Sequence, residues 1–268
     1  MKVVSYNILR GGQLEAGNRI GQIVDFLAAQ NPTICGLFEC DNFEANEGKI
    51  AHIFEQELDM KIVLHRSRSK SNIGLLYDPK VMTLIQALTF DRFMYHGLLA
   101  ADFEFQGIPL RFVLVHLNPY SAELRLIESQ ILTQIAVRAE NTLIMGDFNC
   151  PPPGSQLEME KFKATFRARV TNEKSVLDTR SIEHILANGF DDLWNGQHPG
   201  DSEPGSYPTP LAGKDQFYPE TVRIDYFFGS PLFKKSCTTC EVIRNEVLDH
   251  TSDHYPITST FEFEYQED

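Results

Sequence analysis

The sequence predicts the α/β class, a layered α/β domain, and three observations carry that prediction. Short apolar, β-branched runs recur along the chain, stretches with helical apolar spacing fall between them, and nothing repeats at a fixed period. With 268 residues, 42% of them hydrophobic, the chain can bury a sizeable core, and one domain over 1–268 is the simplest organisation.

Taken in order, the first strand is predicted at 2–8, in KVVSYNI. A helix follows over about Leu14–Ala29, with Ile20, Ile23, Val24 and Leu27 on one face. It stops before Asn31-Pro32, because a proline disfavours helix in the residue before it. Strands are expected at 33–39, 61–65, 72–77, 98–105 and 110–116. A second helix runs over about Ser121–Arg138, where Leu124, Ile127, Ile131 and Ile135 recur at helical spacing and Ser121 is available as N-cap. The strand at 142–147 leaves through Cys150 into Pro-Pro-Pro-Gly, a loop that precedes a polar helix near Phe166. A long loop rich in Gly, Pro and Ser occupies 195–220, and strands at 222–228, 239–244 and 256–264 close the chain. Strands in both halves are enough for two packed sheets.

The charge balance narrows the function. Lys and Arg number 24 against 37 Asp and Glu, a formal charge of −13, so the surface as a whole repels polyanions and any nucleic acid must be held locally. No apolar run reaches the length of a membrane span and no signal-peptide core follows Met1, which predicts a cytoplasmic chain without stable membrane association. No obligate protein partner is evident. Five cysteines, an odd number, do not make a disulfide framework. Cys237 and Cys240 form one C-x-x-C with no second pair to complete a zinc site, and they read as plain thiols.

The informative pattern is where polar residues interrupt apolar strands. VVSYN ends in Asn7 and ICGLFE in Glu39; FVLVHLN carries His116 and Asn118; TLIMGDFN ends in Asp147 and Asn149; RIDYFF carries Asp225; TSDHYPI opens with Asp253 and His254. Strand ends on one edge of a sheet converge, so these segments can deliver carboxylates, amides and imidazoles to one cleft. Metal-assisted phosphoester hydrolysis needs that inventory: hard oxygen donors for Mg²⁺ or Mn²⁺, a carboxylate base for water, and donors for the charge that develops. Asp147 fits the base, and His254 and His116 fit the donors.

SYNIL at 5–9, FE at 38–39, VHL at 115–117, GDFN at 146–149, RIDYFF at 223–228 and SDH at 252–254 together resemble the endonuclease/exonuclease/phosphatase superfamily, the DNase I-like and exonuclease III-like metal-dependent phosphoesterases. The resemblance implies a four-layer α/β sandwich, two packed mixed β-sheets flanked by helices. It implies that Glu39 is the main metal ligand, with Asn7 beside it binding or orienting the metal's water shell, and that Asp253 lies next to the metal or a second metal position. Asp147 would then activate the nucleophilic water and Asn149 help hold it and the phosphate. Asp225 would orient and charge His254, which contacts the phosphate, and His116 would be a phosphate-binding histidine. In two places the chain departs from that pattern: Phe38 stands where an amide usually precedes the metal-binding Glu, and Asn118-Pro119-Tyr120 marks no subfamily.

Other polar and aromatic residues are assigned ordinary roles. His52, His65, His96, His184, His198 and His250 read as structural, and Arg66, Arg68 and Lys70 as a solvated loop. Phe93, Tyr95, Tyr207, Trp194 and Tyr218 read as packing rather than base-stacking residues, and Cys40 and Cys150 as packing. The expected enzyme is a divalent-metal-dependent phosphodiesterase, nuclease-like, acting on a phosphoester of a nucleic acid or nucleotide. A phosphatase or phosphodiesterase for sugar, inositol or lipid head groups ranks second, and an inactive scaffold last.

Overall fold

The computed structural model describes residues 1–15, 17–202 and 204–263, without the side chains of Lys214 and Asp215. The chain begins with β1 (Lys2–Asn7), a small hairpin of β2 (Gln13–Leu14) and β3 (Gly17–Asn18), α1 (Ile20–Gln30), β4 (Ile34–Phe38) and α2 (Lys49–Leu58). It continues through β5 (Lys61–His65), β6 (Ile73–Tyr77), β7 (Thr83–Phe90), β8 (Leu98–Phe105), β9 (Ile108–His116), α3 (Ala122–Ala136) and β10 (Thr142–Asp147). Then come α4 (Ala164–Val170), α5 (Arg180–Ala187), β11 (Asp191–Asp192), α6 (Leu193–Gln197), β12 (Asp225–Gly229), α7 (Pro231–Ser236), β13 (Cys237–Val242) and β14 (Ile257–Phe261).

Two six-stranded sheets result, one in the order β13-β14-β1-β4-β6-β5 and the other β11-β12-β10-β9-β8-β7. Both are mixed, with β1 parallel to β4 in the first and β9 parallel to β10 in the second. Because side chains alternate along a strand, Val3, Leu114 and Met145 point into the core between the sheets, whereas Val4, Val113 and Ile144 point outward. The outward face of the first sheet is covered by α1 and α2 through Ile23, Leu27 and Phe54, and that of the second by α3 and α5 through Leu132, Ile135, Ile182 and Ile185. The layers are therefore helix, sheet, sheet, helix, as expected. Among the described residues no helix is long and apolar enough to cross a membrane, and all five cysteines are free and buried.

Two glycines allow close packing beneath the site, Gly36 between the two sheets and Gly146 between neighbouring strands of one sheet. A Cβ on Gly36 of β4 would lie 2.8 Å from the Met145 sulfur. Gly146 has φ +151°, and a Cβ there would lie 1.8 Å from the carbonyl oxygen of Val115. The glycine before Asp147 is thus demanded by the backbone. Gly146→Ala is expected to lower stability by about 3 kcal/mol, from overpacking and an unfavourable φ, read as a lower urea midpoint.

Several elements differ from expectation. The first helix begins at Ile20 rather than Leu14, because Gln13–Leu14 and Gly17–Asn18 pair as a hairpin and the Asn18 side chain accepts the Ile20 N–H at 2.9 Å; Ala16, within the expected helix, lies outside the described residues. β12 starts at Asp225, since Val222 pairs instead with Tyr207 across the preceding loop. Glu264, the expected end of the last strand, lies outside the described residues. α3 has its Ser121 cap, which accepts from Leu124 N, but a different buried face: Leu124 and Ile127 are 47% and 46% exposed, while Arg125 and Glu128 turn inward. Backbone partners make that possible, as Arg125 donates to the carbonyls of Asn118 and Arg169 and Glu128 accepts the N–H groups of Tyr95 and Asn118. β7 was not expected, because this edge strand is largely exposed and lacks a clear apolar alternation.

Candidate active site

The site lies where β1, β4, β9 and β10 end. Parallel pairing places Asn7 opposite Phe38, one residue before Glu39, and Asp147 opposite His116. Asp225, at the start of β12, is the antiparallel partner of Asp147. Asp253 and His254 arrive from the loop before β14, which is tied to β1 by a 2.6 Å bond from the Ser252 hydroxyl to the Asn7 carbonyl. All eight residues expected from the sequence are thereby brought to one end of the sandwich.

Asp147 is the hub and is almost fully buried. Its Oδ2 accepts from Asn7 Nδ2 at 3.1 Å and lies 3.4 Å from His116 Nε2 and 3.6 Å from His254 Nε2. Its Oδ1 accepts the Asn149 N–H at 2.8 Å, and the Asn149 amide donates to Leu117 O. On the other side of His254, Nδ1 lies 2.8 Å from Asp225 Oδ2, which also accepts from the Ser206 hydroxyl at 2.6 Å. The Tyr207 ring packs against the imidazole with centroids 4.8 Å apart.

This packing sets the charges. Burial alone would lower the His254 pKa, but Asp225 and Asp147 flank the ring and raise it to about 10, so the imidazole is a cation. Burial pushes the Asp147 carboxyl up to about 7, opposed by the His254 cation and reinforced by Asp225. His116 is lowered to about 3 by burial and then by the His254 charge, leaving a neutral imidazole.

Glu39 sits past the end of β4 at φ +59°, a conformation few non-glycine residues hold. That bend returns its carboxylate to the backbone, so Oε2 accepts Arg10 N–H at 3.1 Å while Oε1 lies 3.3 Å from Asn7 Nδ2. The Asn7 amide oxygen is engaged by Leu9 N–H at 3.1 Å, so its nitrogen bridges the Glu39 and Asp147 carboxylates. Asp253, pushed up to about 6 by burial, with the His254 cation opposing and Glu39 adding, faces the same cleft. Among the described residues neither Glu39 nor Asp253 has an ion pair. The buried Arg19 guanidinium is felt by both but donates to the Thr251 and Leu9 carbonyls instead, and hard carboxylate donors of this kind fit a divalent cation. Asp147, Asp225 and His254 also come within 4.8 Å of one another, but their imidazole is already hydrogen-bonded to Asp225 and ion-paired with Asp147.

The cleft has a volume of about 500 Å³ and contains residues the sequence reasoning missed. His96, expected to be structural, stacks on His116 with centroids 4.0 Å apart and bonds Ser69 Oγ through Nδ1 at 2.7 Å. Ser206, which positions Asp225, carried no sequence signal. Tyr207, expected as a packing residue, lines the cleft, whereas Tyr218 and Trp194 are packed in clusters of buried rings and side chains. Tyr120, Phe166 and Phe217 line it as well, and the first was marked only by its place after His116. Phe38, in place of the usual amide, is wholly buried in the core between the sheets. Arg66, Arg68 and Lys70 are exposed, as expected of a solvated loop.

A model of the Endonuclease/Exonuclease/phosphatase family matches residues 4–254. No curated protein matches the chain. Among solved structures, an AP endonuclease from Archaeoglobus fulgidus is similar at 16% identity and TM-score 0.71, over 98% of this chain and 99% of that one. A 3′ phosphatase from Neisseria bound to a product DNA hairpin gives 16% and 0.71, over 98% and 100%. The human Nocturnin catalytic domain with bound sulfate gives 15% and 0.69, over 98% and 93%. At these identities the likeness establishes the fold.

Proposed function

The chain belongs to the Endonuclease/Exonuclease/phosphatase family, whose members hydrolyse phosphate esters, and from that premise we propose that it is a divalent-metal-dependent, nuclease-like phosphodiesterase acting on a nucleic acid or nucleotide. The observation that carries the proposal is the Asp147 carboxylate, held among Asn7, His116 and His254 on the same cleft as the Glu39 and Asp253 carboxylates, which have no ion pair among the described residues.

Glu39, with Asp253 near it, would hold Mg²⁺ or Mn²⁺, and Asn7 orients Glu39 through its amide nitrogen. When bound, the metal supplies Lewis-acid polarisation of a phosphoryl oxygen. Asp147 takes the proton of the attacking water at Oδ2, while Asn149 fixes its other oxygen. His254, charged and held by Asp225, donates from Nε2 to a phosphoryl oxygen as negative charge develops there. His116 contributes a neutral donor beside it. Similar structures described as an AP endonuclease and a 3′ phosphatase bound to product DNA favour nucleic acid among the possible esters.

The test is hydrolysis of bis-p-nitrophenyl phosphate beside p-nitrophenyl phosphate, with Mg²⁺ or Mn²⁺ and after chelation. The expected result is diester turnover that disappears with chelator and returns with metal. Preference for the monoester would make the protein a phosphatase. No turnover on either, with no metal bound by calorimetry, would overturn the enzymatic reading.

A further inference from the structure

At the mouth of the cleft stands a wall that the hydrolytic chemistry does not use. The Arg169 guanidinium lies over three rings, 4.8 Å from the centroid of Tyr120, 5.1 Å from Phe166 and 5.7 Å from Phe217, and all four residues line the cleft that holds Asp147 and His254. In a chain with 37 Asp and Glu, the Arg169 side chain has no carboxylate partner or hydrogen bond among the described residues. Its N–H groups lie in the plane of the guanidinium and are available to phosphate or carbonyl oxygens. Tyr120 is 51% exposed, which is unusual for so large a ring beside an active site.

The wall is built rather than incidental. The fully buried Arg125 donates to the carbonyls of Asn118 at 3.0 Å and Arg169 at 2.8 Å, joining the turn that carries Tyr120 to α4. The Asn118 side chain accepts the Tyr120 and Ser121 N–H groups, which fixes that turn. On the other flank, Phe217 N–H donates to the Tyr207 hydroxyl, whose ring packs on His254. The wall and the imidazole that contacts the phosphate are thus in mechanical contact.

We propose that Tyr120, Phe166, Phe217 and Arg169 form a subsite for an unpaired nucleobase on the nucleotide that carries the scissile phosphate. A flat base can stack on the exposed ring and present carbonyl oxygens to the guanidinium, a combination that single-strand binders use with any base. An inositol polyphosphate would need a cluster of cations, whereas this wall has three rings to Arg169 and Lys163, the latter 5.4 Å from the Phe166 ring. A duplex keeps its bases stacked inside and needs a basic surface that a net charge of −13 does not provide. The ligand is therefore a nucleotide ester or a single strand. The inference rests on the phosphodiesterase reading for the position of the phosphate.

The experiment compares two diesters with the same leaving group, thymidine 5′-(4-nitrophenyl phosphate) and methyl 4-nitrophenyl phosphate. Wild-type protein is expected to prefer the thymidine ester. Tyr120→Ala and Arg169→Ala are each expected to lose roughly 5- to 100-fold in kcat/KM on the thymidine ester, the range of one base–aromatic stack, and to stay within about twofold on the methyl ester. Tyr120→Phe, which keeps the ring, is expected to retain the preference. No wild-type preference, or equal losses on both esters, would overturn the subsite.

A binding arm separates this proposal from the catalytic one and distinguishes the two ligand sources. A short oligothymidylate, an abasic oligomer of equal length and thymidine monophosphate are titrated against wild type and Tyr120→Ala. Base-dependent binding that Tyr120→Ala abolishes, without turnover of either ester, would keep the subsite and reject the hydrolase reading. Base-independent binding would reject the subsite. Tighter binding of oligothymidylate than of the mononucleotide would identify a single strand as the ligand, and equal affinity a nucleotide.

Discussion

Asp147→Asn is expected to lower metal-dependent diester turnover by roughly 10²- to 10⁴-fold, the range for loss of a general base, while the protein stays folded. Asn keeps the shape and can still accept the Asn149 N–H at Oδ1. It loses the carboxylate oxygen that lies 3.1 to 3.6 Å from Asn7 Nδ2, His116 Nε2 and His254 Nε2, so the proton of the attacking water has no acceptor there. Burial already works against the charged form of Asp147, and the neutral amide removes that cost. Against that gain, the amide nitrogen that replaces Oδ2 faces the Asn7, His116 and His254 N–H groups and leaves the His254 cation with one carboxylate fewer, so the thermal midpoint is expected to stay near or fall modestly below that of wild type while activity collapses. Steady-state kinetics with Mn²⁺ beside a thermal melt measures both, and turnover within about threefold of wild type would remove Asp147 from the role of base.

Asp225→Asn is expected to cost a comparable factor, about 10² to 10⁴, by a different route. Its Oδ2 receives His254 Nδ1 at 2.8 Å and the Ser206 hydroxyl at 2.6 Å, which fixes the ring with Nε2 toward Asp147 and the cleft. An amide at this position can present its NH₂ group to Nδ1, which holds the ring neutral with its single proton on Nε2; a neutral donor then stands where the imidazolium stood, and its positive charge is no longer available to the charge developing on the phosphoryl oxygen. The fall should appear mainly in kcat, because Asp225 faces His254 and is not part of the cleft lining. An unchanged kcat with a raised KM would show instead that His254 binds substrate without assisting the chemistry.

Much of this arrangement was legible in the sequence because strand geometry makes it so. Apolar runs that end in Asn, Glu, Asp or His are costly unless those ends meet solvent, a ligand or each other, and Asn7, Glu39, His116 and Asp147 all stand at such ends. Asp225 within an apolar segment implied a partner for the same reason, and His254 is that partner. The helix beginning at Ile20 and the buried face of α3 were less legible. Their boundaries and orientation depend on the Asn18 side chain accepting the Ile20 N–H and on backbone groups that satisfy Arg125 and Glu128, which no local pattern contains.

What the sequence determined by itself is the α/β class, the order of the site segments and the identity of the eight polar residues that the fold gathers at one end of the sandwich. These follow from period-two burial and from the functional groups a phosphoester reaction needs. The tertiary structure alone decided that Asn7 bridges Glu39 and Asp147, a contact spanning 140 positions, that His96 stacks on His116, and that Arg169 meets Tyr120, Phe166 and Phe217 on one wall. The reason is physical: such contacts join loops from strands distant in sequence, and no local pattern records which loops the packed sheets bring together.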